Sequence, residues 1–353
     1  MKCSVLTDYV DLLKTGARLC VLPVPRLLLE QPINVPTNYT LYPQGSIDIA
    51  ELRVVSWPQR EFEEVVRTGG GSLPWTQSAA TQIFSDEFLA HSLIAFPIRL
   101  NWEHFLDPPD HEYHKDVIRE ASERAETALD IIRYEFCRLD LPDTLPGRAG
   151  TLSGGNPFSC ALFYDLSDHE SYVIGGQTVT HQLVAGLGLE LPGSLTSQEI
   201  KNGEVGNIVR MALGLFSASL EASSLTSKFV QAMSLLEFLG NPNPNARLGM
   251  KKARPQIAVH AARDKASYES VSHDIKRLSD ENSLRTAIVH KGERFENIIA
   301  GKADQAALFR RLQGYIGKII FDLIELSDAS WSAVEEFRRA KMVRLGIISD
   351  EAE

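Results

Sequence analysis

The sequence lacks the features that mark several large classes of protein. No apolar run approaches the roughly 20 residues that a membrane-spanning helix needs, so we expect no membrane partner. The four cysteines lie far apart and form no CxxC pair, which predicts neither a zinc site nor a disulfide framework. They are Cys3, Cys20, Cys137 and Cys160. We expect buried thiols, no metal, no cofactor and a reducing, cytoplasmic setting.

Two further absences concern the first 75 residues. Asp8, Asp11, Lys14 and Arg18 interrupt any apolar stretch near the N-terminus, so we expect no export signal. The glycine-rich stretch 68–72 lacks the GxxxxGK[ST] arrangement that binds phosphate. We interpret it as a linker or a hairpin tip.

Charge is distributed unevenly along the chain. The net charge is −10, but residues 1–204 hold 15 Lys and Arg against 28 Asp and Glu, and residues 205–353 hold 21 against 18. Within 247–294 the count is 11 against 6. The acidic whole argues against an indiscriminate nucleic-acid binder. The basic segment leaves two interpretations open, a confined RNA contact or a solvated helix face.

The first half of the chain predicts an α+β domain. Short runs rich in Val, Ile, Leu and aromatic residues alternate with Pro and Gly. They predict strands at 18–23, 47–57, 94–100, 159–165, 171–175 and 183–191. An apolar stripe with Glu and Arg on the other side predicts one long helix at 114–139. We therefore predict an acidic domain over residues 1–195, of unknown type, with a sensory or regulatory role.

One polar cluster in this half has two interpretations. It consists of His104, Asp107, Asp110, His111 and His114. Histidines three residues apart beside carboxylates could bind a transition metal. However, two prolines break the geometry and no strict ligand spacing is present. We favour a polar helix start with Asp110 near the N-cap.

The second half predicts an all-α bundle. The polar, glycine-containing stretch 191–203 is the best candidate for a domain boundary. Amphipathic patterns beyond it predict helices at 205–221, 224–239, 256–278, 281–291, 303–326 and 331–345. The predicted bundle covers residues 200–346.

An arginine followed by a histidine four to six residues later is a weak pattern that gains meaning from its context. The chain contains three such pairs: Arg99 and His104, Arg254 and His260, and Arg285 and His290. Arg99 ends a strand-like run in the acidic half. Arg254 precedes Pro255, which biases it away from helix. The third pair alone is predicted to lie on a short helix in the basic bundle.

The short helix around the third pair has a simple pattern. Leu284, Ala287 and Ile288 recur at helical spacing and predict an apolar face. At about 100° per residue, Arg285 and His290 lie roughly 140° apart and outside that face.

The ends of the same helix are predicted from residues that favour helix termini. Gly292 is expected to end the helix in a left-handed turn. Ser279 or Asp280 is expected to cap its start.

The stretch 284–292 resembles the R-x4–6-H signature of HEPN domains, most closely the Apea-like variant. The preceding apolar run 233–239 with its single acidic residue, Glu237, and the order of helices suit that variant, and the resemblance covers about 200–345. The residue after the arginine is often Asn, Asp or His in active members of the family. Here it is Thr286, which keeps a hydroxyl but does not titrate.

The resemblance implies a metal-independent endoribonuclease that acts as a homodimer with a composite active site. It would cleave RNA by attack of the 2′-OH, as a toxin or a phage-defence effector. Histidine would move protons and arginine would stabilise the phosphorus transition state. The implied roles are catalytic for Arg285 and His290, supporting for Glu237 and Thr286, and phosphate-binding for Lys291 and Arg294.

Alternatives remain open for each of these roles. Glu237 either orients Arg285 from the neighbouring helix or is an exposed residue on a helix edge. Lys291 and Arg294 either bind phosphate or favour the dipole of a helix end. The whole bundle could instead be a non-catalytic HEPN module for dimerisation or partner binding, combined with an N-terminal domain that senses a ligand or protein.

Overall fold

The computed structural model describes residues 4–55, 88–107, 112–141, 145–151, 158–177, 187–189, 199–242, 249–280 and 283–349. The chain forms two compact units. Unit 1 comprises Met1–Leu129 and Asp143–Ser197, and unit 2 comprises Asp130–Pro142 and Gln198–Glu353. The division at Ser197 lies inside the stretch 191–203 that we expected to separate two domains. The segment Asp130–Pro142, which we assigned to the N-terminal domain, groups with unit 2.

Unit 1 contains the strands, together with the first helices. The helices are α1 (Val5–Leu13), α2 (Ile49–Leu52), α3 (Trp102–Leu106) and α4 (Glu112–Phe136), whose last turns belong to unit 2. The strands are β1 (Arg18–Val24), β2 (Leu27–Leu29), β3 (Ile33–Val35), β4 (Tyr39–Tyr42), β5 (Val54–Val55), β6 (Ser92–Ile98), β7 (Phe158–Asp165), β8 (Glu170–Gln177) and β9 (Leu187–Leu189). The described strands form a seven-stranded sheet in the order β3-β4-β6-β1-β7-β8-β5 and a separate parallel pair, β2 with β9. Within the larger sheet only β5 and β8 pair in parallel.

Strand β1 lies at the centre of the large sheet, between β6 and β7. Six of its seven residues are buried, so side chains on both faces of the sheet are covered. Helix α1 contributes Val5, Tyr9 and Leu13 to the core on one side. The Tyr9 hydroxyl donates a hydrogen bond of 2.7 Å to the Ala95 carbonyl of β6 and so ties the helix to the sheet.

Most strand predictions for unit 1 are confirmed, with ends shifted by a few residues. The prediction over 47–57 is wrong, because Ile49–Leu52 forms a helical turn before the short strand Val54–Val55, and residues 56–57 lie outside the described part of the chain. The Asp48 carbonyl accepts the Glu51 N–H at 3.2 Å and starts that turn. The glycine-rich stretch 68–72 lies outside the described residues.

Unit 2 is mostly helical. Its helices are α5 (Glu204–Glu221), α6 (Leu225–Gly240), α7 (Met250–Ala261), α8 (Lys265–Ser279), α9 (Leu284–Lys291), α10 (Phe295–Ile298), α11 (Lys302–Glu325) and α12 (Trp331–Arg344). Each of α5 to α8 packs on the next, and α11 packs against α5, α6 and α7. Buried residues recur along α11 at three- and four-residue spacing, which explains its central place. An α+β region followed by a helical region is therefore what the structure contains.

One helix prediction in unit 2 is wrong. The single helix expected over 256–278 is two helices, α7 and α8, separated at residues 262–264. Asp264 accepts the Ser267 N–H at 2.7 Å, and the Ser267 hydroxyl accepts the Asp264 N–H at 3.0 Å. This capping box starts a new helix. The apolar pattern continues through the same residues, so the pattern alone predicted one helix.

Two further expectations came from the composition, one about the cysteines and one about membrane-spanning helices. Cys20, Cys137 and Cys160 are free, buried thiols as predicted, and burial raises the pKa of Cys20 and of Cys137. Cys3 lies outside the described residues. No helix in the described part of the chain combines the length and the apolar content that a bilayer crossing needs.

Candidate functional site

The candidate site is built on α9, an eight-residue helix capped at both ends. Gly292 follows it with φ 71°, a left-handed conformation that favours glycine, as predicted. The predicted N-cap is wrong. Ser279 ends α8, Asp280 follows it, and Ser283 caps α9 by accepting the Thr286 N–H at 3.2 Å.

Helix α9 rests on the bundle through a shallow apolar face. Ile288 is buried, whereas Leu284 and Ala287 are only half-buried. Val289 is 49% exposed. The predicted face therefore packs through Ile288, and the last three residues of the helix, Val289, His290 and Lys291, are exposed.

An ion pair joins α9 to the neighbouring helix α6. An Arg285 Nη atom lies 3.0 Å from a carboxylate oxygen of Glu237, and both side chains are about one-quarter to one-third exposed. Glu237 is in the last turn of α6, and Arg285 is in the first turn of α9. The contact required by the hypothesis that Glu237 orients Arg285 is present. A catalytic role for either residue stays a prediction.

His290 is exposed near the C-terminal end of α9. Its ring forms no hydrogen bond or ion pair within the described part of the chain. Imidazole is the side chain that exchanges protons most readily near neutral pH. The arrangement can therefore offer an exposed, unbonded imidazole to a bound molecule.

Thr286 is engaged in the local structure of α9. Its backbone N–H is capped by Ser283, and its hydroxyl donates to the Asp280 carbonyl at 3.1 Å. The side chain thus ties the first turn of α9 to Asp280, the residue that follows α8. Its predicted supporting role can be exerted through the position of the helix that carries Arg285.

The two further cations predicted at the site are solvent-exposed. Lys291 is the last residue of α9, and Arg294 precedes α10. Neither has an ion-pair partner among the residues that the structure describes. Phe295 is buried, and its N–H donates to the Thr226 hydroxyl of α6 at 3.0 Å, so Arg294 is attached to an anchored segment.

Sequence reasoning misplaced a second arginine near α9. Arg254 was expected outside a helix because Pro255 follows it, but both lie inside α7. Pro255 has no N–H, so the carbonyl of Lys251, four residues earlier, lacks its helical hydrogen bond. Lys251 is exposed in the first turn of α7, where water can bond to that carbonyl instead. Arg254 lies 3.7 Å from the Asp280 carboxylate at the connection to α9.

Sequence reasoning also missed a buried polar network around His260. The His260 Nδ1 atom lies 2.7 Å from an Asp322 carboxylate oxygen, and Arg338 Nε donates to His260 Nε2 at 2.9 Å. The guanidinium of Arg338 also donates to the Leu239 and Gly240 carbonyls, at 2.8 and 3.0 Å. A ring that accepts at Nε2 must be neutral and must donate from Nδ1.

Burial dominates the electrostatics of this network. It lowers the pKa of His260 to about 4 and the pKa of Arg338 to about 10. His260 and the nearby cation Lys341 hold the pKa of Asp322 below its usual range despite burial. A neutral histidine between a carboxylate and a guanidinium is therefore the stable form near neutral pH.

The histidine cluster of unit 1 is only partly described. His114 Nε2 lies 2.9 Å from the Phe105 carbonyl, and the ring of His104 meets Tyr113 edge-on. Asp107 follows α3, and Asp110 and His111 lie outside the described residues. The described residues contain no group of three His, Cys, Asp or Glu side chains that could hold a metal ion.

Comparisons with models of protein families, with curated proteins and with solved structures each return no match for this chain.

Proposed function

We propose that unit 2 is a metal-independent endoribonuclease of the HEPN type, with Arg285 and His290 as its catalytic residues. The observation that carries the proposal is the arrangement on α9. Arg285 is held by Glu237 at 3.0 Å, while His290 on the same short helix is exposed and unbonded within the described residues. The resemblance of residues 284–292 to the HEPN signature supports the same assignment.

The chemistry follows from the two side chains. His290 accepts the proton of a ribose 2′-OH while the 2′-oxygen attacks the adjacent phosphorus. The bond from phosphorus to the 5′-oxygen then breaks, the leaving oxygen takes up a proton, and a 2′,3′-cyclic phosphate remains. Arg285 stabilises the charge that builds on the phosphoryl oxygens. The requirement for a 2′-OH restricts the substrate to RNA.

Glu237 and the exposed cations have accompanying roles. The carboxylate of Glu237 lies beside one Nη atom of Arg285 and so fixes the plane of the guanidinium, which leaves its other N–H groups for phosphate. Lys291 and Arg294 contact neighbouring phosphates of the RNA.

The proposed active form is a homodimer with a composite site. The reaction needs both a proton acceptor and a proton donor, and each chain supplies one motif histidine. On one helix Arg285 and His290 point roughly 140° apart. A second copy brings a second pair to the same cleft. The exposed Val289 between them is suited to a contact between two α9 helices.

Unit 1 is proposed to regulate this activity. The net charge is −13 over residues 1–204 and +3 over residues 205–353. A ligand or protein bound by unit 1 would control cleavage in a cytoplasmic toxin or phage-defence effector. Deletion of residues 1–195 is expected to change activity or toxicity, and an unchanged activity would remove the support for this role.

The test of the nuclease is cleavage of RNA in EDTA by the purified chain. We expect Arg285→Ala and His290→Ala to lower the rate by about 10²- to 10⁴-fold, the range typical for loss of an acid–base or oxyanion group. The matched controls are Arg277→Ala and His273→Ala, exposed residues of the same types on α8, which should cleave at the wild-type rate. Equal cleavage by all five proteins would exclude the site.

A non-catalytic module is the second candidate, and one observation favours it. Arg285 is paired with Glu237, and the Thr286 hydroxyl is bonded to Asp280, so both side chains already have partners within their own chain. In that case α9 serves dimerisation or binding of a protein partner. Sedimentation that shows a dimer lost in Val289→Asp, together with no cleavage by the wild type, would favour this candidate.

A further inference from the structure

The network around His260 closes the C-terminal end of α6, the helix that carries Glu237. Arg338 is 3% exposed, and its guanidinium donates to the carbonyls of Leu239 and Gly240. Those carbonyls lack partners inside the helix and carry partial negative charge. A buried cation is therefore fixed at the negative end of α6.

We propose that Arg338 and His260 are positioning residues for the Arg285 site, because they hold the last turn of α6 in the place where Glu237 meets Arg285. This inference rests on the proposed function. It adds two residues that contact neither Arg285 nor His290 and that lie on α12 and α7.

Glu237 lies close, along α6, to the carbonyls that Arg338 binds. Glu237 is three residues before Gly240, so both belong to the same helical turn. The N–H of Asn241 bonds to the Glu237 carbonyl at 3.2 Å, within that turn. A displacement of the carbonyls that Arg338 holds would therefore displace the Glu237 side chain.

The side chain of Arg338 is held in one orientation by its neighbours. Its Nε–H is directed at the neutral ring of His260, and Asp322 fixes the ring by accepting from Nδ1. The guanidinium is planar, so fixing Nε also fixes the two nitrogens that reach α6. The ring of Trp331 lies 4.8 Å from the guanidinium carbon and covers it.

The last turn of α6 also packs closely on α7. A Cβ atom on Gly240 would lie 2.5 Å from the Cβ atom of Ala253, so the two helices approach as closely as glycine allows. The end of α6 is thus in close contact with Ala253 and is bonded to Arg338. The position of Glu237 is determined by both contacts.

The experiment compares Arg338→Lys with the wild type. Lysine keeps the charge but cannot donate to His260 and to two carbonyls from one plane. We expect kcat for RNA cleavage to fall at least about tenfold with KM within about twofold. Amide hydrogen exchange should become at least about tenfold faster in residues 236–242 and in residues 283–292, measured by mass spectrometry.

A double-mutant cycle separates positioning from general damage. In a Glu237→Gln background, Arg338→Lys should change kcat by less than about twofold, since the pathway to Arg285 is already broken. An equal loss of kcat in both backgrounds would overturn the proposal. Tyr315→Phe is the control. It removes the 2.9 Å bond to Asp274 between α11 and α8, and it should leave both kcat and the exchange of 283–292 unchanged.

The exchange measurement stands independently of catalysis. If the wild type does not cleave RNA, the proposed function fails, and exchange in 283–292 still decides whether Arg338 controls α9. Faster exchange at 236–242 with unchanged exchange at 283–292 would overturn the proposal. If Arg338→Lys does not fold, His260→Asn replaces it, because asparagine can still donate to Asp322 while the acceptor for Arg338 is lost.

Discussion

Unit 2 contains two helices on which a histidine follows an arginine by five or six residues, and the two histidines have opposite surroundings. His260 on α7 is 3% exposed and bonded on both sides, to Asp322 and to Arg338. His290 on α9 is exposed and has no bonded partner among the described residues. Two pairs of the same kind, six and five residues apart, thus yield a structural histidine in one place and a solvent-facing one in the other.

The difference arises from the helices rather than from the motif. Helix α7 packs against α6, α8, α11 and α12, so its histidine is surrounded. Helix α9 is short and rests on the bundle mainly through Ile288. A histidine with both ring nitrogens satisfied is poorly suited to proton transfer, and an unbonded one is well suited. The contrast between a buried, bonded His260 and an exposed, unbonded His290 can be tested by experiment.

The largest expected effect is on catalysis. His290→Gln should lower RNA cleavage by about 10²- to 10⁴-fold and leave the free energy of unfolding within about 0.5 kcal/mol, because the residue is exposed. Initial rates with a fluorescent RNA and urea unfolding measure the two quantities. A large loss of stability in this variant would show that His290 has a structural contact like that of His260.

The next effect is on stability. Arg338→Met should lower the free energy of unfolding by about 3–5 kcal/mol, because it leaves the Nε2 atom of His260 and two helix carbonyls without their buried donor. Arg277→Met, at an exposed position of α8, should change stability by less than about 0.5 kcal/mol. Equal unfolding curves for the two variants would contradict the network.

Acid should destabilise the network through His260. Burial lowers its pKa to about 4 in the folded chain, against roughly 6.5 when unfolded, so the unfolded state binds the proton first as pH falls. Stability contributed by the neutral ring is complete above pH ~6.5 and is lost towards pH ~4, in total about 3 kcal/mol. The lowered pKa of Asp322 acts in the same direction at lower pH.

The measurement is urea unfolding between pH 4 and 8 for the wild type and for His260→Gln. The difference between the two curves isolates the histidine from the other titrating groups. We expect the wild type to lose its advantage as the pH falls through this window. A difference that stays constant from pH 8 to pH 4 would show that the ring is not held neutral.

What could be predicted from the sequence is what local patterns encode. A short run rich in apolar residues predicted β1, and the stripe of α4 and the ends of α11 followed from helical spacing. Gly292 predicted the end of α9, because a left-handed turn favours glycine. The error at Asp264 arose because a capping box interrupts a helix without interrupting the apolar period.

The network around His260 could not be predicted because its members are far apart in the sequence. Asp322 follows His260 by 62 positions, and Arg338 follows it by 78. Arg338 lies in a charged run that is typical of an exposed helix, and nothing local marks it as buried. A contact between Glu237 and Arg285 was one of two interpretations left open, and it was considered because a carboxylate in an apolar run is costly to bury without a partner.

The smallest effect concerns the ends of α9. Gly292→Ala should lower the free energy of unfolding by about 1–2 kcal/mol, because φ 71° places an alanine Cβ against the following carbonyl. Gly314→Ala is the matched control, since it lies exposed in the middle of α11 with nothing within 4 Å of an added Cβ. There alanine should stabilise the chain by about 0.5–1 kcal/mol. Opposite signs in urea unfolding would establish that the candidate site depends on a helix held by its caps, and equal signs would contradict the left-handed end that leaves His290 at the surface.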